Sequence, residues 1–297
     1  MLLSSLSGDE AGIVFCWLCN VLDPSIAIYF SSANQGLWAL TQALRQQLRA
    51  DHEAAAALCL KVGLRSCKEL REAKKLCWRN KGLSVADLAT LGTLGSVLPA
   101  LESLCLYEKL ANPDGMQRLV AGLGAGALLA VTELVFYSMH MGDAGASALA
   151  TALGRGALAH LKIIELINVA IGDAGLVALA PALRRRPALE KITLIANPLG
   201  NEGLAALVAP PPSPVDAGYP APSPPTGVLT KLKRLNLGLT QVTDAGCAGL
   251  ASALDSGALP ALEVLHLWDI PASAAGQAVV REARPHILFF FELHAGS

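Results

Sequence analysis

The sequence predicts an α/β solenoid, with parallel strands on a concave face and helices outside, preceded by a small all-helical unit. Three observations predict it. One leucine-spaced pattern recurs in a single register through the last two thirds of the chain. Within each copy the apolar spacing changes from strand-like alternation to helical spacing. The residues before the first copy lack the pattern.

The pattern L-x-x-L-x-L begins at residues 101, 131, 161, 189, 232 and 262. Its apolar positions hold Leu101/Leu104/Leu106, Val131/Leu134/Phe136, Leu161/Ile164/Leu166, Leu189/Ile192/Leu194, Leu232/Leu235/Leu237 and Leu262/Leu265/Leu267. Fourteen residues after each start stands a glycine, at 115, 145, 175, 203, 246 and 276, and four further on a Leu or, at 280, a Val. The L-x-L section alternates, so one side faces a core and the other faces out. The later half spaces apolar residues by one helical turn, as in Leu149/Leu153 and Leu179/Leu183. Between the halves, Asp143, Asp173, Asn201 and Asp244 are expected to cap the free N–H groups of the helix each one opens. The glycine two residues on is expected to let helix and strand pack closely. One such unit cannot bury its apolar face alone, whereas stacked units share a continuous core.

These segments, I-G-D-A-G-L-V-A-L-A-P-A-L at 171–183 above all, resemble the ribonuclease-inhibitor-like class of leucine-rich repeats over residues 100–285. The resemblance implies a curved solenoid with its strands on the concave side. That class often carries Asn or Cys three residues after the last Leu of L-x-L. Here the column reads Lys109, Met139, Val169, Asn197, Thr240 and Ile270, so a continuous asparagine ladder is not expected. The solenoid is assigned to residues 81–297, with 76–98 reading as a degenerate repeat that caps the stack. Residues 210–227 (PPPSPVDAGYPAPSPPTG) hold eight of the 17 prolines and are expected to project as a polyproline-II-like loop. Their P-x-x-P and Ser-Pro spacings leave a docking or phosphorylation site open beside a passive loop. At the far end, HILFFFEL at 286–293 is expected to close the last sheet edge.

Residues 1–80 are helical in pattern. Leu22-Asp23-Pro24 followed by IAIYFSSANQGLWAL at 26–40 resembles the second part of an F-box, with Leu18, Leu22, Pro24, Ile28, Phe30, Leu37 and Leu40 at that family's positions. The resemblance implies a three-helix unit docked on a Skp-type adaptor of a cullin ubiquitin ligase. The motif's opening Leu-Pro is absent, and its nearest match, Leu6-Ser7, lies four residues too far away. A second reading, a helical cap over the first repeat's core, stands beside it. Thr41 to Ala57 reads as a helix, and the 61/65/68/75/79 spacing of Lys and Arg predicts a basic stripe on one helical face.

No nucleotide loop, zinc-protease, nucleophile-elbow or calcium-loop motif occurs, so no enzyme, cofactor or metal site is expected. A net charge of −1 supplies no field for nucleic acid or anionic lipid. Mean hydropathy is +0.46, yet no apolar run reaches ~18 residues and no membrane span is expected. Seven cysteines without framework spacing fit a reducing, cytoplasmic setting, with the nucleus open, and the Cys16-x-x-Cys19 thiols are expected buried and inert.

What remains is a surface. The outward strand positions collect Tyr107, Glu133, Tyr137, Glu165, Lys191, Arg234, Asn236, His266 and Trp268, rich in the aromatic and charged side chains that anchor protein interfaces. Glu108, Glu133 and Glu165 place negative charge early on this face, and Lys191 and Arg234 place positive charge later. The expected function is non-enzymatic protein–protein interaction, as an F-box-type receptor binding its target on the concave face. Resemblance to the repeats of Ran GTPase-activating proteins keeps a GTPase regulator open, as does a bare scaffold.

Overall fold

A computed structural model describes residues 6–109, 113–209 and 229–290. The Pro-rich insertion therefore lies outside the described residues. Helices α1 (Gly8–Leu18), α2 (Ser25–Ser31), α3 (Gln35–Leu40), α4 (Gln42–Val62) and α5 (Cys67–Glu72) precede the sheet. Strands and helices then alternate: β1 (Lys75–Arg79), α6 (Val85–Leu94), β2 (Ser103–Tyr107), α7 (Pro113–Ala121), β3 (Glu133–Tyr137), α8 (Gly142–Gly154), β4 (Ile163–Ile167) and α9 (Asp173–Arg184). The series continues with β5 (Lys191–Thr193), α10 (Asn201–Val208), β6 (Arg234–Asn236), α11 (Asp244–Asp255), β7 (Val264–His266), α12 (Ala274–Ala283) and β8 (Leu288–Phe290). The strands form one parallel sheet in chain order, so every unit neighbours the next and the architecture is an α/β solenoid.

Register follows the repeat. Leu104, Leu134 and Ile164 are lateral neighbours, and Ile192 and Leu235 continue the row. All three apolar positions of all six units are buried, as is the Leu or Val at the helical position of each. Truncating one such leucine to Ala removes about 2–5 kcal/mol. The sheet begins at Lys75, within the stretch assigned to the helical region, because Leu76 and Trp78 enter this same core.

The helix side departs from expectation in an instructive way. Asp143, Asp173, Asn201 and Asp244 do not cap their own helices. Each reaches across to the start of the next one. Asp143 Oδ1 accepts from Gly172 N at 2.7 Å, and Asp173 Oδ1 accepts from both Gly200 N and Gly203 N at 2.7 Å. Asn201 Oδ1 accepts from Thr243 N at 3.0 Å, and Asp244 Oδ1 accepts from Ser273 N at 2.6 Å. The reason is geometric, since each residue sits inside the first turn of its helix or one position beyond the cap, where its side chain faces the neighbour. This also corrects the role of the glycines. A Cβ at Gly175, Gly203, Gly246 or Gly276 would strike the preceding unit's Asp or Asn oxygen, 2.8 Å away at Gly203. The glycine makes room for a neighbouring repeat's acceptor rather than for a strand.

At the opposite helix ends, arginines bind carbonyls of the preceding unit. Arg186 Nη2 donates to Leu153 O and Ala157 O, and Arg284 Nη2 donates to Leu254 O at 2.6 Å. Both ends of the helical stack are thus tied across repeats, with acceptors at the positive helix ends and cations at the negative ends.

The amino-terminal helices do two jobs. Ala55, Leu58, Cys59 and Val62 of α4, with Cys67 and Leu70 around α5, belong to the same core as the repeats and cover its first end. Phe15, Ala27 and Leu48 form a separate small core with Leu18, Phe30 and Leu44 around it. The predicted basic stripe does not form. Gly63 ends α4 at φ 91°, Ser66 caps a new short helix, and Lys75 and Arg79 lie on a strand. Lys61, Arg71 and Lys74 pair with Asp87, Asp23 and Glu102.

Gly203→Ala is expected to destabilise the chain by about 1–3 kcal/mol, because the new methyl displaces the Asp173 carboxylate. In an Asp173→Ala background the same change should cost distinctly less, with the remainder due to Leu176 Cβ and Cδ2 at 3.2 and 3.3 Å from the new methyl. A double-mutant cycle by urea denaturation measures this coupling, and additive effects would contradict it.

Candidate functional site

The open face of the sheet is set by strand alternation. Inward residues of β2, β3 and β4 are buried, and their outward neighbours are half-buried or exposed. Pairing in register places Ser103 beside Glu133, Glu133 beside Ile163 and Lys191 beside Arg234. The same pairing puts Cys77 beside Cys105, and Tyr107 beside Tyr137.

Of the nine outward residues singled out in the sequence, seven line two adjoining recesses on this face, and Glu133 and Trp268 lie outside both. One recess, a cavity of about 520 Å³, is lined by Arg79, Cys105, Tyr107, Val135, Tyr137, Glu165 and Ile167. The Tyr107 and Tyr137 rings are tilted against each other with centroids 5.0 Å apart, and Tyr137 is 43% exposed. Glu133 accepts from Ser103 Oγ at 2.8 Å. The other recess, about 380 Å³, has Glu165, Lys191, Thr193, Arg234, Asn236 and His266 among its lining, over an apolar floor that includes Ile167, Ile195 and Val264. Glu165 and Ile167 form the wall common to both.

The polar groups of the second recess are unequally satisfied. Lys191 Nζ lies 2.6 Å from Glu165 Oε1, an ion pair across neighbouring strands. Arg234 is exposed and has no carboxylate among the ion pairs of the described residues. Asn236 Oδ1 accepts from Gly238 N at 3.0 Å. Thr193 is buried, and its Oγ1 has no hydrogen-bond partner among the described residues. His266 stacks on Phe290 at 4.6 Å. Burial, then the charges of Lys191 and Arg234, hold its imidazole pKa below the ordinary 6.5. Trp268 lies over Gly238, where any side chain would collide with the indole.

Glu108 corrects the expected charge pattern. It is buried, and its Oε2 accepts from Gly82 N and Leu83 N at 2.8 and 3.2 Å, so it holds the first repeat's turn and contributes no charge to the face. Asn197 acts comparably as a single rung. Its Oδ1 accepts from Val169 N and Ile171 N, and its Nδ2 donates to Leu166 O at 2.7 Å.

The F-box-like positions separate into two groups. Leu22 and Leu37 are buried and structural, while Leu18 and Pro24 are half-buried. Ile28 and Leu40 are 39% and 49% exposed. Residues outside the motif positions are more exposed still: Trp17 at 86%, Tyr29 at 75%, Ile26 at 58% and Ile13 at 57%. Ile13 and Trp17 share one face of α1, and Ile26 and Tyr29 share one face of α2. The apolar content of 1–40 was visible in the sequence, but its excess over what a small core can bury emerges only once Phe15, Ala27 and Leu48 fill that core. Cys16 also departs from the buried-thiol expectation. It is exposed on α1, while Cys19 is half-buried and its thiol is pushed up to about 11, first by burial.

Residues 228–251, the β6–α11 unit, match the family model of a leucine-rich repeat. No curated protein matches the chain in sequence. Among solved structures it is similar to an internalin of Listeria monocytogenes str. 4b F2365, at 19% identity over 67% of this chain and 44% of that one, with a TM-score of 0.41. It is similar to a chain of the TLR13–ssRNA13 complex at 13% identity over 76% and 33%, with a TM-score of 0.37. A leucine-rich-repeat protein of Leptospira interrogans shows 15% identity over 66% and 56%, with a TM-score of 0.31. The chain spans a third to just over half the length of these structures. No helix among the described residues is long and apolar enough to cross a membrane, and no cluster of metal-ligating side chains occurs among them.

The His266 imidazole is expected to titrate below 6.5 in a pH series of NMR spectra and to move back toward 6.5 in Arg234→Gln. Because its folded pKa is depressed, the unfolded chain binds the proton more readily. Its contribution to stability is complete above 6.5 and declines as the pH falls toward the folded pKa. An unshifted imidazole would contradict the recess as described.

Proposed function

We propose that the chain is a protein-interaction module of two surfaces, an F-box-type substrate receptor. On this reading α1–α3 dock a Skp-type adaptor and the concave face holds the protein to be ubiquitinated. The observation that carries it is the exposed set Ile13, Trp17, Ile26 and Tyr29 on a unit that already has its own core. Isolated exposed leucines are ordinary, but several large apolar residues on one small unit mark a protein-binding surface. Most of the cap belongs to α4 and α5, and from the α1–α3 unit only the α1–α2 turn, through Leu22 and Val21, reaches the repeat core among the described residues. The L-D-P helix joined to repeats gives the adaptor its class. The length of the repeats, a strand and a full helix in about thirty residues, favours the ribonuclease-inhibitor-like subtype.

The aromatic and charged residues of the two recesses support the concave face as the substrate side. A separate test of that side is a Tyr137→Asp/Arg234→Asp variant, which should keep adaptor binding and lose its substrate in a reconstituted ubiquitination reaction.

Titration of the full chain with a Skp-type adaptor should give micromolar or tighter binding. Trp17→Asp or Tyr29→Asp should weaken it at least tenfold without changing the circular dichroism spectrum, since both side chains are exposed. Leu22→Asp and Leu37→Asp are unsuitable controls, because burying a charge there unfolds the unit. Absence of binding by the folded chain would remove the receptor reading. Stimulated hydrolysis by a Ran-type GTPase would put the GTPase-regulator reading in its place.

A further inference from the structure

The second concave recess presents an excess of donors. Lys191 and Arg234 are lateral neighbours on β5 and β6, and Thr193 and Asn236 are the next outward pair on the same strands. Like charges side by side on adjacent strands oppose folding. Glu165 neutralises only one of them, at 2.6 Å from Lys191. Asn236 Oδ1 is already occupied by Gly238 N, so its amide offers a ligand N–H donors. Thr193 is 3% exposed and lines the recess, and its hydroxyl has no partner among the described residues. A buried hydroxyl left unpaired is unfavourable in the free protein, and native structures rarely keep one without a reason. The buried Thr193 hydroxyl and the available donors of Arg234 and Asn236, on neighbouring strands, therefore share one complement, an acceptor bearing negative charge.

We infer that this recess binds the side-chain carboxylate of an acidic residue in an extended partner segment, with Arg234, Thr193 and Asn236 as its ligands. The inference rests on the concave face being the partner surface. Charge count selects the carboxylate. Lys191 and Glu165 cancel, so one net positive charge remains, which matches a monoanion rather than a phosphate dianion, and Glu165 stands close enough to repel the second charge. The floor of Ile167, Ile195 and Val264 strengthens the pairing by excluding water around it.

The adjoining recess says what accompanies the carboxylate. Tyr107, Tyr137, Val135 and Ile167 form an aromatic and aliphatic chamber suited to one apolar side chain. Its centre at β3 lies three strands from Arg234 on β6, about 14 Å at ~4.8 Å per strand. An extended segment crossing the strands covers that distance in about four residues at ~3.3 Å each. The recognised element is an apolar residue and an acidic residue about four positions apart.

The test uses the full chain and synthetic ten-residue peptides, acetylated and amidated so that no terminal charge remains. Each carries one Phe and one Glu separated by one to seven positions, and binding is read by fluorescence anisotropy. Binding should peak at a separation of about four. Replacing the Glu by Gln should weaken it at least tenfold, and Arg234→Gln should give the same loss with no further loss when the two are combined. Thr193→Val should weaken binding several-fold while leaving the thermal midpoint unchanged or higher, an outcome a merely structural Thr193 would not give. Equal binding of Glu and Gln peptides that still depends on Tyr137 would overturn the carboxylate site and leave the concave reading standing. Binding indifferent to both Tyr137→Ala and Arg234→Gln would place the peptides elsewhere and overturn both. Tighter binding when phosphoserine replaces Glu would overturn the carboxylate in favour of phosphate. No binding by any peptide would overturn the inference alone, since the substrate-transfer variant tests the concave face separately.

Discussion

The hydrogen bond from the starts of α9, α10, α11 and α12 to the acceptor of the preceding unit is the constraint on which the rest of the solenoid depends. A helix leaves its first N–H groups without partners, and in a stack of parallel helices those groups lie side by side at one rim. Asp143, Asp173, Asn201 and Asp244 supply them from the neighbour, and a glycine column keeps the space open. The spacing of the helices is thereby fixed from one side, and Arg186 and Arg284 fix it from the other. The strands follow in register because the core between sheet and helices is continuous.

This division of labour explains why the outward strand face is available. Cohesion between repeats resides mainly in the core, the backbone ladder and the helix rims, so the outward strand positions carry little of it beyond the Ser103–Glu133, Glu165–Lys191 and Tyr107–Tyr137 contacts. The exceptions prove informative. Glu108 and Asn197 are polar residues near the strand ends that the core has taken in, and each is consumed by backbone groups of an adjacent turn. Thr193 is equally buried on the outward side, yet nothing in the described chain satisfies it. Structure and binding thus use polar groups in distinguishable ways, one saturated and one left open.

Much of the fold was legible in the sequence because the repeat averages over local ambiguity. Six copies of one spacing fixed the strand register, the core columns and the direction of Tyr107, Tyr137, Arg234 and His266. What escaped was relational. No periodicity shows that Asp173 serves the following helix rather than its own, since both partners lie equally near in the pattern. The break at Gly63 also escaped, because the charges of 61–79 continue at helical spacing through a turn that only the αL glycine and the Ser66 cap reveal. The exposure of Trp17 and Tyr29 depends on how small a core Phe15, Ala27 and Leu48 make, a quantity that apolar content alone does not contain.

The central claim is that helix starts are bonded across repeats, and native-state hydrogen exchange reads it directly. The amides of Gly172, Gly200, Gly203, Thr243 and Ser273 stand at helix starts, where water-bonded N–H groups exchange freely. The account predicts that they are protected to the level of the core strands, at residues such as Ile164 and Leu235. Exchange of these five amides at the rate of exposed turns, beneath protected strands, would contradict it.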